Sequence, residues 1–152
     1  MNVSDITKEA VCINEEASFS DALTMMLTKH TNTLLVTNEA GVLTGEVSVS
    51  DLLDAIVPEY LDGDSIAANF ATEDMFKQAV TDTAEKQVTY FMSTDYDAVT
   101  TNDSMMTIAA TAIAHQRARM PVVDVDGRPV GMISRQGLKH ILAQYLGIEP
   151  TT

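Results

Sequence analysis

GEVSVSDLL (residues 45–53) and GMISRQGLK (residues 131–139) are the two stretches on which the reading of this chain turns. Gly45 is followed by Ser48 and then Asp51; Gly131 is followed by Ser134 and then Gly137. An offset of 86 residues relates them, and it also places Ser18 on Ser104, Leu27 on Ile113, Leu34 on Met120, Val36 on Val122 and Gly41 on Gly127. No gap is needed from about Cys12 to Ile56. Apolar, turn and glycine positions that recur at one fixed offset mark a tandem duplication. One copy nevertheless keeps a carboxylate where the other has glycine.

Each copy predicts the same local structure. In SFSDALTMMLTKH, Ser18 suits a helix N-cap and Asp21, three residues on, completes a capping box. Phe19, Ala22, Leu23, Met26 and Leu27 follow at helical spacing, as do Met105, Ile108, Ala109, Ala112 and Ile113 after Ser104. The methionines in these stripes read as core filler. TLLVT and MPVVD are short apolar runs suited to buried strands. They lead into NEAG and DVDG, and the Asp126-Gly127 pair favours a tight hairpin. A further strand and a last helix close each copy, with a short extended segment (VCI; AVT) ahead of it. One such unit exposes too much apolar sheet to stand alone, so the prediction is an α+β fold of two pseudo-symmetric repeats packed sheet to sheet. The boundaries are 1–57 for the first repeat, 58–90 for a helical linker and 91–152 for the second. Within the linker, Ile66, Phe70, Met75, Phe76, Ala79 and Val80 suggest one or two amphipathic helices starting near Asp64 or Asp74. A packed connector is favoured over a partner-binding helix.

The bulk numbers narrow the function. A net charge of −13 argues against wrapping a nucleic-acid backbone. The charge is uneven: residues 1–90 hold 16 acids and 4 bases, residues 91–152 hold 6 and 5. Arg117, Arg119, Arg128, Arg135 and Lys139 therefore leave room for a small anionic ligand. With one cysteine, no internal disulfide can form, which fits a reducing compartment. The absence of a basic start or an apolar block near the N-terminus adds to the expectation of a cytoplasmic protein without a membrane span. Cys12 reads as a buried thiol. His30, His115 and His140 show no spacing with acids or cysteine that would predict a metal or catalytic cluster. GVLTGEVS lacks the lysine of a phosphate-binding loop.

The duplicated unit, the RMPVVD strand, the DG hairpin and the Gly-x-h-Ser-x-x-Asp signature (h apolar) before the last helix resemble the CBS-domain pair, a family named after cystathionine β-synthase. The resemblance covers nearly the whole chain. It implies a non-enzymatic regulatory module that binds an adenosine-containing ligand, with no other cofactor required, in a cleft between the repeats. It also implies a homodimer formed through helices and an effector protein as the receiver of the signal. Carried over by position, one site joins Ser48 and Asp51 to Val99, Thr100, Arg119, Met120 and Pro121. Glu46 stands where the family places an apolar residue beside the base. The weaker second site joins Ser134 and Gly137 to Ile13, Asn14, Thr33, Leu34 and Leu35.

This suggests why the copies differ. A carboxylate accepts hydrogen bonds from a ribose diol and an arginine pairs with phosphate; Gly137 and Thr33 do neither, so one pocket is expected to work and the other to have decayed. Two bland readings compete. Asp51 also suits a helix N-terminus, and Ser48 a cap, without any ligand. At the level of function, the alternative is an assembly module with unoccupied pockets.

Overall fold

The computed structural model describes residues 3–57 and 72–149. The first copy contains β1 (Cys12–Asn14), α1 (Phe19–Lys29), β2 (Thr33–Thr37), β3 (Leu43–Ser48) and α2 (Val49–Ile56). Helix α3 (Glu73–Thr83) follows, and the second copy contains β4 (Val99–Thr100), α4 (Met105–Ala114), β5 (Arg119–Val123), β6 (Pro129–Ser134) and α5 (Arg135–Tyr145). Strands β2 and β5, and β3 and β6, begin and end 86 residues apart. The duplication read from the sequence is thus a duplication of structure, and the fold is α+β with two three-stranded sheets, β1-β2-β3 and β4-β5-β6.

Local chemistry sets the element boundaries. Ser18, Ser48, Ser104 and Ser134 cap α1, α2, α4 and α5, each accepting a hydrogen bond from the amide three residues on. Such a cap satisfies one of the orphan donors of a helix start, worth about 1 kcal/mol. β4 runs parallel to β5, and β5 antiparallel to β6. The β5–β6 turn closes as Asp126-Gly127 predicted. Asp124 Oδ1 accepts from the Asp126 and Arg128 amides, and Gly127 sits at φ +80°. A side chain at that φ would be strained.

Contacts divide the chain into two units, each with its own core. One comprises residues 11–40, 44–57 and 72–94 and centres on Phe19, Ala22, Leu34, Val36, Val47 and Val88. Phe19 meets Phe91 edge to face, with ring centroids 5.5 Å apart. The other comprises residues 3–10, 41–43 and 95–149, and centres on Val3, Ile6, Ile108, Met120, Val122 and Ile133.

The segments that precede β1 and β4 are therefore placed crosswise. Residues 3–10 pack with the second repeat, where Lys8 and Met132 exchange both backbone hydrogen bonds at 2.9 Å. Residues 86–94 pack with the first, where Glu46 and Ser93 do the same at 2.9 and 2.8 Å. Short 3₁₀ turns at Val3–Asp5 and Val88–Tyr90 bury Val3 and Val88 in the respective cores. Each crossing passes over the glycine that opens the signature. A Cβ on Gly45 would lie 2.6 Å from Met92 Sδ, and one on Gly131 would collide with the Thr7 side chain and come within 2.5 Å of Lys8 O. At Gly131 a neighbouring backbone oxygen stands in the space a side chain would need, whereas at Gly45 the nearest atom belongs to the Met92 side chain.

Several expectations need correction. Leu23, Leu27 and Ile113 follow the helical spacing but are exposed; of the stripe methionines, Met26 is buried and Met105 packs partly buried on the second core. In the linker, Thr72 caps α3 and Asp74 lies in its first turn. Ala79 and Val80 pack on the first core, whereas Met75 and Phe76 face solvent. Asp64, Ile66 and Phe70 lie outside the described residues. Cys12 is exposed on the outer side of β1, contrary to the buried thiol expected. Its surroundings still desolvate it enough to push its pKa above the usual thiol value. Among the described residues no helix is long and apolar enough to cross a membrane.

Candidate functional site

Ser48 ends β3 and caps α2, and Asp51 answers it. Asp51 Oδ2 accepts from the Ser48 amide at 2.8 Å and from Ser48 Oγ at 3.2 Å, while the Asp51 amide donates to Ser48 Oγ at 3.3 Å. The cap reading of both residues is thus correct. It uses one carboxylate oxygen; Oδ1 has no hydrogen-bond partner among the described residues, and Asp51 is only partly buried. A half-used carboxylate at a helix start remains able to accept from a ligand hydroxyl. Glu46, two residues before the cap, is tied through its backbone to Ser93.

The equivalent place in the second repeat is built differently. The Gly137 amide donates to Ser134 Oγ at 3.2 Å, but no side chain returns the bond. Gly137 is buried beneath the crossing segment: a Cβ would stand 3.5 Å from Ile6 O and 3.8 Å from Ile6 Cβ. An alanine fits in that space, whereas a longer side chain would have to find room beside Ile6.

The other candidate residues lie as follows. Val99 and Met120 are buried in the second core, and Pro121 is fully buried beside them on β5. β4 brings Val99 level with Val122, and the Thr100 amide donates to Asp103 Oδ2 at 2.9 Å. Arg119 is exposed at the start of β5, in register with Ser134 on β6. In the first unit Ile13 and Leu34 are buried and Leu35 is fully enclosed. Thr33 opens β2, its amide donating to Thr31 Oγ1. Ile13 and Asn14 line a groove of about 520 Å³ with Asp21, Thr24 and Met25 of α1.

Sequence spacing missed one polar cluster. Arg117 Nε donates to Asp97 Oδ2 at 2.7 Å and its NH2 group to Asp95 Oδ1 at 2.9 Å. His115 Nδ1 also stands 2.9 Å from Asp97 Oδ2, so His115 does have an acidic partner. Arg135 Nε donates to Arg117 O. The network fastens the segment leading into β4 to the turn between α4 and β5. Its members come from loops about 20 residues apart, with no periodic signal to pair them. Hydrogen bonding by Arg117, opposed by desolvation and helped by the charge of His115, holds the Asp97 carboxyl below its usual pKa. A depressed folded-state pKa stabilises the fold above the ordinary aspartate value of about 3.9, and that contribution is lost as pH falls through the folded value. Arg117→Met is therefore expected to lower the melting temperature at pH 5 to 8. The gap to wild type should close as pH is taken down below the ordinary aspartate range. A gap independent of pH over that range would show that the ion pairs do not hold the segment.

Among the described residues no group of three or more His, Cys, Asp or Glu is placed to hold a metal ion. A short strand, a serine-capped helix and a crossing segment, present twice with one acid retained, make up the architecture of one known module. The family model of the CBS domain matches residues 3–58 and 86–144.

The chain belongs to the CBS-domain family. No curated protein sequence matches it. Solved CBS structures share its fold. A CBS domain-containing protein of unknown function from Kribbella flavida superposes with a TM-score of 0.78 at 17% identity, over 94% of this chain and 99% of that one. The CBS-pair protein CBSX2 from Arabidopsis thaliana gives 0.72 at 22% identity, over 97% and 98%. A CBSX2 structure in complex with AMP gives 0.67 at 23%, over 95% and 98%. The cytosolic domain of the Mg²⁺ channel MgtE, in complex with ATP, gives 0.68 at 18% identity, over 92% of this chain and 48% of that one. At these identities the likeness concerns the fold.

Proposed function

We propose that this CBS pair is a non-catalytic regulatory module that binds an adenosine-containing ligand of the AMP, ADP or ATP kind. Occupancy is passed to a separate effector through a change of conformation or of homodimer state. Ser48, Asp51 and Glu46 from the first repeat act with Val99, Thr100, Arg119, Met120 and Pro121 from the second. Ser134, Ile13, Thr33 and Leu34 form the weaker second set. The observation that carries this reading is the asymmetry at the signature: Asp51 keeps a carboxylate oxygen with no partner among the described residues, whereas Gly137 lies under Ile6. The AMP and ATP complexes of CBSX2 and MgtE support the class of ligand. In this reading Asp51 accepts from the ribose hydroxyls, Arg119 pairs with phosphate and Glu46 accepts from the adenine amino group. A ligand shifts a conformational balance only by its differential affinity for the two states.

The test is thermal unfolding with AMP, ADP, ATP and S-adenosylmethionine. At a hundredfold excess over the dissociation constant, one site adds about 2.7 kcal/mol, a rise of about 5–10 °C for a chain of this size. Asp51→Ala and Arg119→Ala are each expected to abolish most of the rise, and Ser134→Ala to leave it. An unchanged melting temperature with all four compounds favours the second reading, an assembly module with unoccupied pockets. That reading is supported by the mutual capping of Ser48 and Asp51. Turnover of a nucleotide would overturn both.

A further inference from the structure

The clamp on Asp97 has no counterpart in the first copy. The positions 86 residues before Asp97, Arg117 and His115 hold Val11, Thr31 and Lys29. Thr31 Oγ1 exchanges hydrogen bonds with Thr33, two residues on, and the Val11 side chain has no polar atom to answer it. This asymmetry runs the same way as that of the pockets. The copy with the clamp supplies Arg119, and the copy without it has Thr33 at that place. What the clamp holds is slight by itself, for β4 is two residues long, pairing Val99 with Val122 and Thr100 with Val123. After β4, Asp103 Oδ2 accepts the Thr100 amide at 2.9 Å; ahead of it, Asp97 Oδ2 takes Arg117 Nε at 2.7 Å and His115 Nδ1 at 2.9 Å. The Arg117 and Asp97 side chains are 23% and 24% exposed, so solvent screens their pair less than it screens Asp95, which is 92% exposed. From the other side, Arg117 O accepts Arg135 Nε at 3.1 Å and Ala118 O accepts the Arg135 amide at 3.0 Å. One turn, two residues ahead of Arg119, thus ties the segment before β4 to the start of α5.

We propose that Asp97 and Arg117 are positioning residues for nucleotide binding: they fix Val99 and Thr100 relative to Arg119 without touching the ligand themselves. The inference rests on the nucleotide reading and adds to it two residues that lie outside the site named there. Two simpler roles would give different results. A clamp that only stabilises the fold would, when lost, lower the melting temperature and leave affinity alone. If Arg117 instead paired with phosphate, taking away Asp97 would release a guanidinium and remove a negative charge near an anion, so binding would tighten. Positioning gives the opposite sign. Removing the acid weakens an anionic ligand, because a loosened segment has to be ordered again on binding.

Isothermal titration with AMP, and with ATP in parallel, tests this at a temperature well below the melting of every variant. Hydrogen exchange of the free protein is the second measurement. Asp97→Ala and Arg117→Met are each expected to weaken binding by about tenfold. His115→Ala leaves Arg117 in place and should cost about two- to threefold; it serves where the other two fail to fold. In the free protein, Asp97→Ala and Arg117→Met should speed exchange over residues 97–100 by about tenfold or more and leave β2 unchanged. Wild-type affinity in both variants, with lowered melting temperatures, would overturn the proposal, as would tighter binding by Asp97→Ala or unchanged exchange over residues 97–100. A wild type that binds neither compound would instead overturn the nucleotide reading, and the positioning role with it; faster exchange in the variants would then assign the clamp to the fold alone.

Discussion

Gly131→Ala is expected to melt well below wild type, by about 4–8 °C, and Gly45→Ala by much less. The two glycines hold equivalent positions and both lie under a crossing segment. What each substitution meets differs. At Gly45 the nearest atom is Met92 Sδ at 2.6 Å, near the end of a flexible side chain, and the backbone oxygen of Ser93 stands farther off, at 3.1 Å. At Gly131 the new methyl meets Thr7 Cγ2, on a β-branched side chain whose Oγ1 is bonded to Val3 O at 2.7 Å, and backbone oxygen Lys8 O at 2.5 Å. That oxygen accepts the Met132 amide, so it cannot move without breaking the bridge. Replacing glycine within a strand gains roughly 0.5–1 kcal/mol in chain entropy, and forcing a methyl into a filled space costs about 1–3 kcal/mol. At Gly45 the two nearly cancel. At Gly131 the clash prevails by about 2 kcal/mol, which gives the larger shift. Equal melting of the two variants would mean that the N-terminal segment does not cross β6 as described.

Removing residues 2–8 should destabilise the protein more than any single substitution considered above. These residues precede β1 of the first repeat, yet Val3 and Ile6 are buried in the second core at 1% and 9% exposure. Losing two such side chains removes about 3–6 kcal/mol of apolar burial. The Lys8–Met132 hydrogen bonds go with them, and buried Gly137 loses its cover. Against a typical total stability of roughly 5–15 kcal/mol, that is enough to leave the second unit poorly folded. Val3→Ala combined with Ile6→Ala keeps the bridge and should show a smaller part of the same loss. Thermal unfolding followed by circular dichroism measures both. A truncated chain that melts at the wild-type temperature would refute the assignment of this segment to the second core.

The carboxylate retained by one copy and missing from the other has a physical context on both sides. Asp51 completes a two-way cap and keeps one oxygen over, whereas Gly137 gives up half of its cap and lies beneath Ile6. The sequence made the contrast visible. It did not show Ile6 above Gly137, because nothing in VSDITK announces which repeat it joins.

The amino-acid sequence by itself determined the duplication, the order and approximate places of β2, β3, β5 and β6, the caps at Ser18 and Ser48 and the Asp126-Gly127 turn. These follow from interactions within a few residues, so spacing and residue type suffice to specify them. The tertiary structure alone decided which core Val3, Ile6 and Val88 enter, why position 131 has no room for a side chain, and that Asp97 is gripped by Arg117 and His115. It also decided that Leu27 and Ile113, periodic though they are, face outward. Each of these depends on contacts between segments distant in the chain. Helical spacing marks an apolar stripe, but only the packed neighbour settles whether a side chain at its edge is covered.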